Sequence, residues 1–173
     1  DATTRRFSGK IVVATNRGIC MVEFGSRATL LEALRARFPR ATLGRADEQL
    51  EGWVRSVVQT IDSPLHQPSL PLDIRGTAFQ RRVWHALTRL APGETVSYGE
   101  LARRLKAPTS TRAVARACAT NGIAVLVPCH RVVAADGGLA GYKWGLARKK
   151  KLLGLERPAP AAKPAREKTR AGR

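Results

Sequence analysis

The sequence predicts an α+β chain, with a small N-terminal α/β part followed by a mostly helical C-terminal part. Three observations carry this expectation. Two apolar, β-prone runs, Lys10 to Thr15 and Gly18 to Phe24, are separated only by a short turn at Asn16-Arg17-Gly18, the pattern of a β-hairpin. Prolines 64, 68 and 71 then break the chain between Asp62 and Gly76. Beyond them, apolar residues recur mainly at the three-and-four spacing of helices.

The hairpin is followed by two amphipathic helices. Ala28 to Phe38 carries Leu30, Leu31, Leu34 and Phe38 on one face and stops at Pro39, and Asp47 or Glu48 to Ile61 is the second. Nothing in this unit has the spacing of a metal site or a catalytic pair, so it reads as scaffold, with Cys20 packing as a small apolar residue. The expected division is a scaffold domain over residues 1–72, including a linker from about 62, a second domain over 73–156, and a basic tail over 157–173.

The second domain opens with Thr77-Ala78-Phe79-Gln80, which fits a capping box. The helix it starts runs to about Leu90, with Phe79, Val83, Trp84, Leu87 and Leu90 on one face. Ser97-Tyr98-Gly99-Glu100 is a second box, opening a helix that reaches about Leu105 and is closed by Lys106-Ala107-Pro108. A third helix runs from about Ser110 to Thr120, capped by Thr109 or Ser110 and ended by Asn121-Gly122. These last two, joined by a tight turn, form a helix-turn-helix candidate. The later one reads Thr111-Arg112-Ala113-Val114-Ala115-Arg116-Ala117-Cys118-Ala119: small side chains around an exposed Arg112, able to bring the backbone close to a groove. Cys118 within it reads as structural, and His66 and His85 are isolated.

Ile123 to Val127, bounded by Asn121-Gly122 and Pro128, reads as a short buried strand leading to Pro128-Cys129-His130-Arg131. A turn at Ala135 to Gly138 and a glycine-punctuated loop from Leu139 to Gly145 follow. That loop lacks the Gly-Lys-Ser/Thr ending of a phosphate loop, which excludes a nucleoside-triphosphate site of that kind. The last helix, Leu146 to about Glu156, carries Arg148-Lys149-Lys150-Lys151 on a frame of Leu146, Leu152, Leu153 and Leu155. After it, a proline-, alanine- and cation-rich tail is expected to be disordered.

Charge points to the partner. The 173 residues carry a net +18, and removing the tail's net +5 still leaves +13, so the folded part is itself strongly basic and a polyanion such as DNA is the expected ligand. No apolar stretch approaches the roughly 20 residues of a bilayer span. No membrane is therefore expected, and a cytoplasmic location, on the nucleoid if the source is bacterial, is the default. Three cysteines at 20, 118 and 129, without a Cys-x-x-Cys pair, argue against both a disulfide framework and a cysteine-rich zinc site.

Cys129 is the candidate nucleophile. Cysteine reacts as its thiolate, and the imidazole of His130 and the guanidinium of Arg131 are neighbours of the kind that lower a thiol pKa. In a straight extended segment adjacent side chains point to opposite faces, so either the chain bends at Pro128 or a water bridges Cys129 and His130. Glu156 sits where a carboxylate opposes the helix dipole, which asks for a specific partner.

The run Val127-Pro128-Cys129-His130-Arg131-Val132-Val133, followed by Gly141-Tyr142 and Gly145-Leu146-Ala147, resembles the methylated-DNA–protein-cysteine methyltransferases. The likeness extends from about Gly9 to Glu156, is strongest from Leu70 onward, and is greatest to the C-terminal half of bacterial adaptive-response proteins. The resemblance implies a ribonuclease-H-like N-terminal domain without catalytic residues. It also implies irreversible transfer of a methyl or other alkyl group from O6-alkylguanine in double-stranded DNA to Cys129, once per molecule, after base flipping. O4-alkylthymine is a second candidate substrate, no cofactor or metal is needed, and a monomer is expected. By the same resemblance, Glu156 orients His130, which takes the Cys129 proton through water. Tyr98 donates to the purine, and Asn121 braces the hinge between helix and strand. Tyr142 and the backbone near Lys143 wall the pocket, with Arg131 and Val132 also assigned to substrate binding, and Arg112 fills the place of the extruded base. Thr111, Ala113, Ala115 and Arg116 share that DNA-facing helix. Family members often carry a small residue where Lys143 stands, so pocket width is the property most open to variation here. Two other classes compete: a DNA-binding lesion sensor or transcriptional regulator without chemistry, and a cysteine hydrolase, which would need an oxyanion hole and a substrate cleft.

Overall fold

The structure, a computed structural model, describes residues 2–7 and 9–157; apart from Arg157, the expected disordered tail lies outside the described residues. The hairpin forms as expected, with β2 (Lys10–Thr15) antiparallel to β3 (Gly18–Phe24). β1 (Ala2–Phe7) adds antiparallel to β2, and the three-residue β4 (Leu43–Arg45) pairs parallel with β1, giving the order β3-β2-β1-β4. Neither outer addition was anticipated. Ala-Thr-Thr-Arg-Arg-Phe has no alternating apolar pattern, and three residues are too few to show one.

Both faces of the hairpin are covered, which is why β3 is buried at every position. Val13, Cys20 and Met21 pack with Leu30 and Leu34 of α1 (Arg27–Arg37). Val12, Val22 and Phe24 face the other way, into a core that contains Leu50, Val54 and Val57 of α2 (Glu48–Asp62) and continues into the C-terminal helices. Ser26 and Asp47 cap these two helices by accepting from the amides of Thr29 and Leu50.

In α3 (Ala78–Leu87) both halves of the Thr77/Gln80 capping box are made, and Trp84 Nε1 donates to the Ala117 carbonyl at 2.9 Å, tying α3 to α5 (Thr111–Ala119). α4 (Tyr98–Arg104) starts where Ser97 accepts from the Glu100 amide, while the Glu100 carboxylate takes Arg104 instead of completing a box. The short strand pair β5 (Val96–Ser97) and β6 (Val132–Val133) is parallel. α6 (Leu146–Glu156) has the expected ends.

Three expectations are corrected. Neither Thr109 nor Ser110 caps α5 through its side chain; a 3-10 turn at Pro108–Ser110 leads into it instead. Ile123 to Val127 is not a strand. Only Ile123 bridges to Val22; the chain then turns, with Val125 at φ 68 and the Val127 amide donating back to the Ile123 carbonyl at 3.0 Å. An unbroken apolar run cannot distinguish a buried strand from a buried turn. In α6 the inward face is Lys149, Leu152 and Glu156, whereas Leu146 and Leu155 are exposed.

Candidate active site

The turn just described ends at Cys129–Arg131, a single 3-10 turn opening on Pro128. The chain therefore bends at the proline, and Cys129, His130 and Arg131 are all buried. Asn121, at the end of α5, fixes the turn from inside. Its Oδ1 accepts from the Ile123 amide at 2.9 Å, and its Nδ2 donates to the Val127 carbonyl at 2.9 Å and to Cys129 Sγ at 3.1 Å. The brace expected of Asn121 is thus also a donor to the sulfur itself.

Cys129 opens onto a cavity of about 510 Å³. Tyr98, Ala115, Cys118, Ala119, Tyr142 and Lys143 line it, so one wall is α5, whose Thr111, Arg112, Ala113 and Arg116 lie exposed on the surface. Cys118, read from sequence as structural, faces this cavity; its place one helical turn after Ala115 was the available signal. Arg131 and Val132 lie behind the wall instead of on it. The Val132 carbonyl accepts from Lys149 Nζ at 2.6 Å. The Arg131 guanidinium donates to Leu90 O at 2.6 Å and to Glu156, with Nη2 to Oε1 at 2.8 Å. The substrate contacts expected of these two residues are therefore corrected to support of the turn.

Glu156 has the partners its position asked for. Burial disfavours its carboxylate, but the hydrogen bonds from His130 and Arg131 outweigh that and hold its pKa at about 2. An ionised carboxylate only accepts, so the 2.8 Å contact between Glu156 Oε1 and His130 Nε2 places the imidazole proton on Nε2. Nδ1 is left as a buried lone pair with no partner among the described residues. Burial lowers the His130 pKa in spite of Glu156, so the ring is neutral.

The expectation that His130 and Arg131 acidify the thiol is also corrected. The ring is uncharged and the guanidinium is engaged by Glu156. Burial instead pushes the Cys129 pKa up to about 11, against the opposing pull of the Asn121 bond and of Lys149 and Lys143. The resting sulfur is a thiol. Lys149 stands within a run of four consecutive cations, yet it is fully buried, and burial lowers its pKa. Its signal was the 149, 152, 156 spacing, one helix face shared with Glu156. Tyr98 is half-buried and its pKa is raised, first by burial and then by the cysteines, so it stays a phenol and a donor.

Glu23, taken as scaffold, reaches this site from β3. Its carboxylate receives Lys143 Nζ and Trp144 Nε1. A carboxylate inside the otherwise apolar run Ile19 to Phe24 was the sequence signal.

Comparison with known proteins agrees in one direction. Residues 78–158 match the family model described as 6-O-methylguanine DNA methyltransferase, DNA binding domain. The chain is 48% identical over 150 residues to the bifunctional transcriptional activator/DNA repair enzyme Ada of Escherichia coli, covering 84% of this chain and 42% of that protein. A relative from Salmonella typhimurium is likewise matched over 42% of its length, so the chain spans less than half of these two relatives. With the inducible methylated-DNA–protein-cysteine methyltransferase of Bacillus subtilis, identity is 35% over 86% of this chain and 84% of the other. The structure of Mycobacterium tuberculosis OGT in complex with DNA superimposes with a TM-score of 0.72 at 34% identity, over 90% of this chain and 91% of that one.

Proposed function

The chain belongs to the methylated-DNA–protein-cysteine methyltransferase family, and from that premise we propose that it repairs DNA by moving the alkyl group of O6-alkylguanine onto Cys129. The observation that carries this reading is the Cys129 sulfur facing the cavity, held by Asn121 at 3.1 Å, beside a neutral imidazole whose free nitrogen is buried and has no partner among the described residues.

The arrangement supports a displacement in which each group has one task. Water between Cys129 and His130 Nδ1 carries the thiol proton to the imidazole, and Glu156 holds the resulting cation. Asn121 Nδ2 steadies the thiolate as it forms. The sulfur attacks the alkyl carbon, the S–C bond forms as the C–O6 bond breaks, and the electron pair leaves on the guanine, where the Tyr98 hydroxyl donates as charge develops. A thioether has no easy leaving path, so each molecule acts once. Reaching O6 requires the base outside the stack. The exposed, alanine-faced surface of α5 suits close approach to a groove, with Arg112 filling the vacated place and Thr111, Ala113, Ala115 and Arg116 flanking it.

In this reading residues 1–72 form a scaffold of ribonuclease-H-like type, supported by the parallel pairing of β1 with β4 at the end of an antiparallel hairpin sheet. Residues 73–156 carry the chemistry, and the protein acts as a monomer. Intact mass after mixing the protein with duplex DNA containing O6-methylguanine tests the proposal. A gain of one methyl on the unsubstituted chain, absent in Cys129→Ser and without turnover, is expected. DNA binding with no gain on either protein would overturn it.

A further inference from the structure

We infer that Glu23 is a positioning residue that sets which alkyl groups the pocket accepts; this rests on the transfer reading above and deepens it. Glu23 stands on β3 and is only 5% exposed, in a strand whose other residues are all buried. Its two oxygens are divided between consecutive residues of the pocket loop. Oε1 accepts from Lys143 Nζ and Oε2 from Trp144 Nε1. Lys143 lines the cavity, and its ammonium also reaches the Asn121 carbonyl at 3.3 Å. Trp144 supports the adjoining wall residue, its ring meeting Tyr142 edge-on at 5.2 Å. The neighbouring residue continues the contact: Phe24 lies edge-on to Trp144 at 6.0 Å and under the Arg148 guanidinium at 4.4 Å.

A buried carboxylate with two charge-assisted bonds is a stiff tie, because releasing either donor leaves charge unpaired in a poorly solvated place. The tie draws Lys143 back toward the sheet and Asn121, and holds Trp144 against Tyr142. The Tyr142 and Lys143 wall of the cavity onto which Cys129 opens is thereby kept in place, and the cavity at one width. A methyl group needs little of that width, whereas a planar benzyl group needs the wall to move. Glu23 touches neither Cys129 nor the cavity, so it acts only through Lys143 and Trp144.

Single-turnover rates for duplexes containing O6-methylguanine or O6-benzylguanine test this in the full chain, Glu23→Gln and Glu23→Ala. Glutamine keeps one acceptor and the shape of the side chain, so it can hold Trp144 while losing the charge on Lys143. The benzyl-to-methyl rate ratio is expected to rise by roughly tenfold or more in Glu23→Ala and by an intermediate amount in Glu23→Gln, with the methyl rate changed by less than about threefold. A tether that only stabilises the fold would lower the melting temperature and leave the ratio unmoved. An unchanged ratio in folded Glu23→Gln, with methyl transfer intact, overturns the inference alone. No methyl on Cys129 of the unsubstituted chain overturns both the inference and the repair reading beneath it.

Discussion

Asn121 joins the backbone of the reactive turn to the sulfur it presents, because one amide group donates to both the Val127 carbonyl and Cys129 Sγ. Asn121→Ala should move the pH profile of Cys129 alkylation by a small electrophile to higher pH and slow methyl transfer by about 100-fold, the scale on which a lost donor to a developing anion is felt. Glu156 gives a second prediction, of stability. Its pKa falls from 4.5 to about 2 on folding, so its contribution is fully present above pH 4.5 and is lost as pH falls toward 2. Melting temperatures of Glu156→Gln should therefore vary less with pH than those of the unsubstituted chain across that window. At this scale the sequence singled out Cys129, which the structure sets at the cavity, and the need for a partner at Glu156, since both are local anomalies. It hid the Asn121–sulfur bond, the engagement of Arg131 and the burial of Lys149. Each of these depends on which way a side chain turns once distant segments meet, as Lys149 meets Val132.

Helices were the most legible elements. α3 could be read from its cap and periodicity, because a capping box is a contact between residues three apart and needs no tertiary information. Removing that contact with Thr77→Ala should cost about 1 kcal/mol in denaturant unfolding. β1 and β4 were not legible: their pairing joins residues about 40 apart in sequence, and neither carries a pattern of its own. The turn from Ile123 to Val127 was misread for a different reason. Its apolar residues report burial, and burial is shared by strands and turns. For α5, exposure of Arg112 on a face of small residues makes a clear demand. Arg112→Ala should slow transfer from lesion-bearing duplex DNA while sparing reaction of Cys129 with a small soluble electrophile, since only the former requires a base to be held out of the stack.

For the molecule as a whole, charge and shape act together. A chain with net +18 should lose roughly a thousandfold in DNA affinity between about 50 and 200 mM salt if it neutralises six or more phosphates, measured as the slope of log affinity against log salt. A shallow slope would mean that the basic residues face away from the duplex. The α+β class was readable from residue spacing. The single core running from Val12 through Leu50 to Val114 was not, because shared burial between two halves of a chain leaves no local trace.

β3 is the last strand of its sheet, and an uncovered outermost strand offers its free amides and carbonyls to any passing chain. Here that border is occupied at two points from within: Leu72 of the linker bridges to Ile19, and Ile123, beginning the reactive turn, bridges to Val22. The segment that presents the nucleophile is thus also a seal. A substitution that loosens the turn would expose the sheet border at the same moment, so displacement of Cys129 and the onset of self-association are coupled in this molecule by construction.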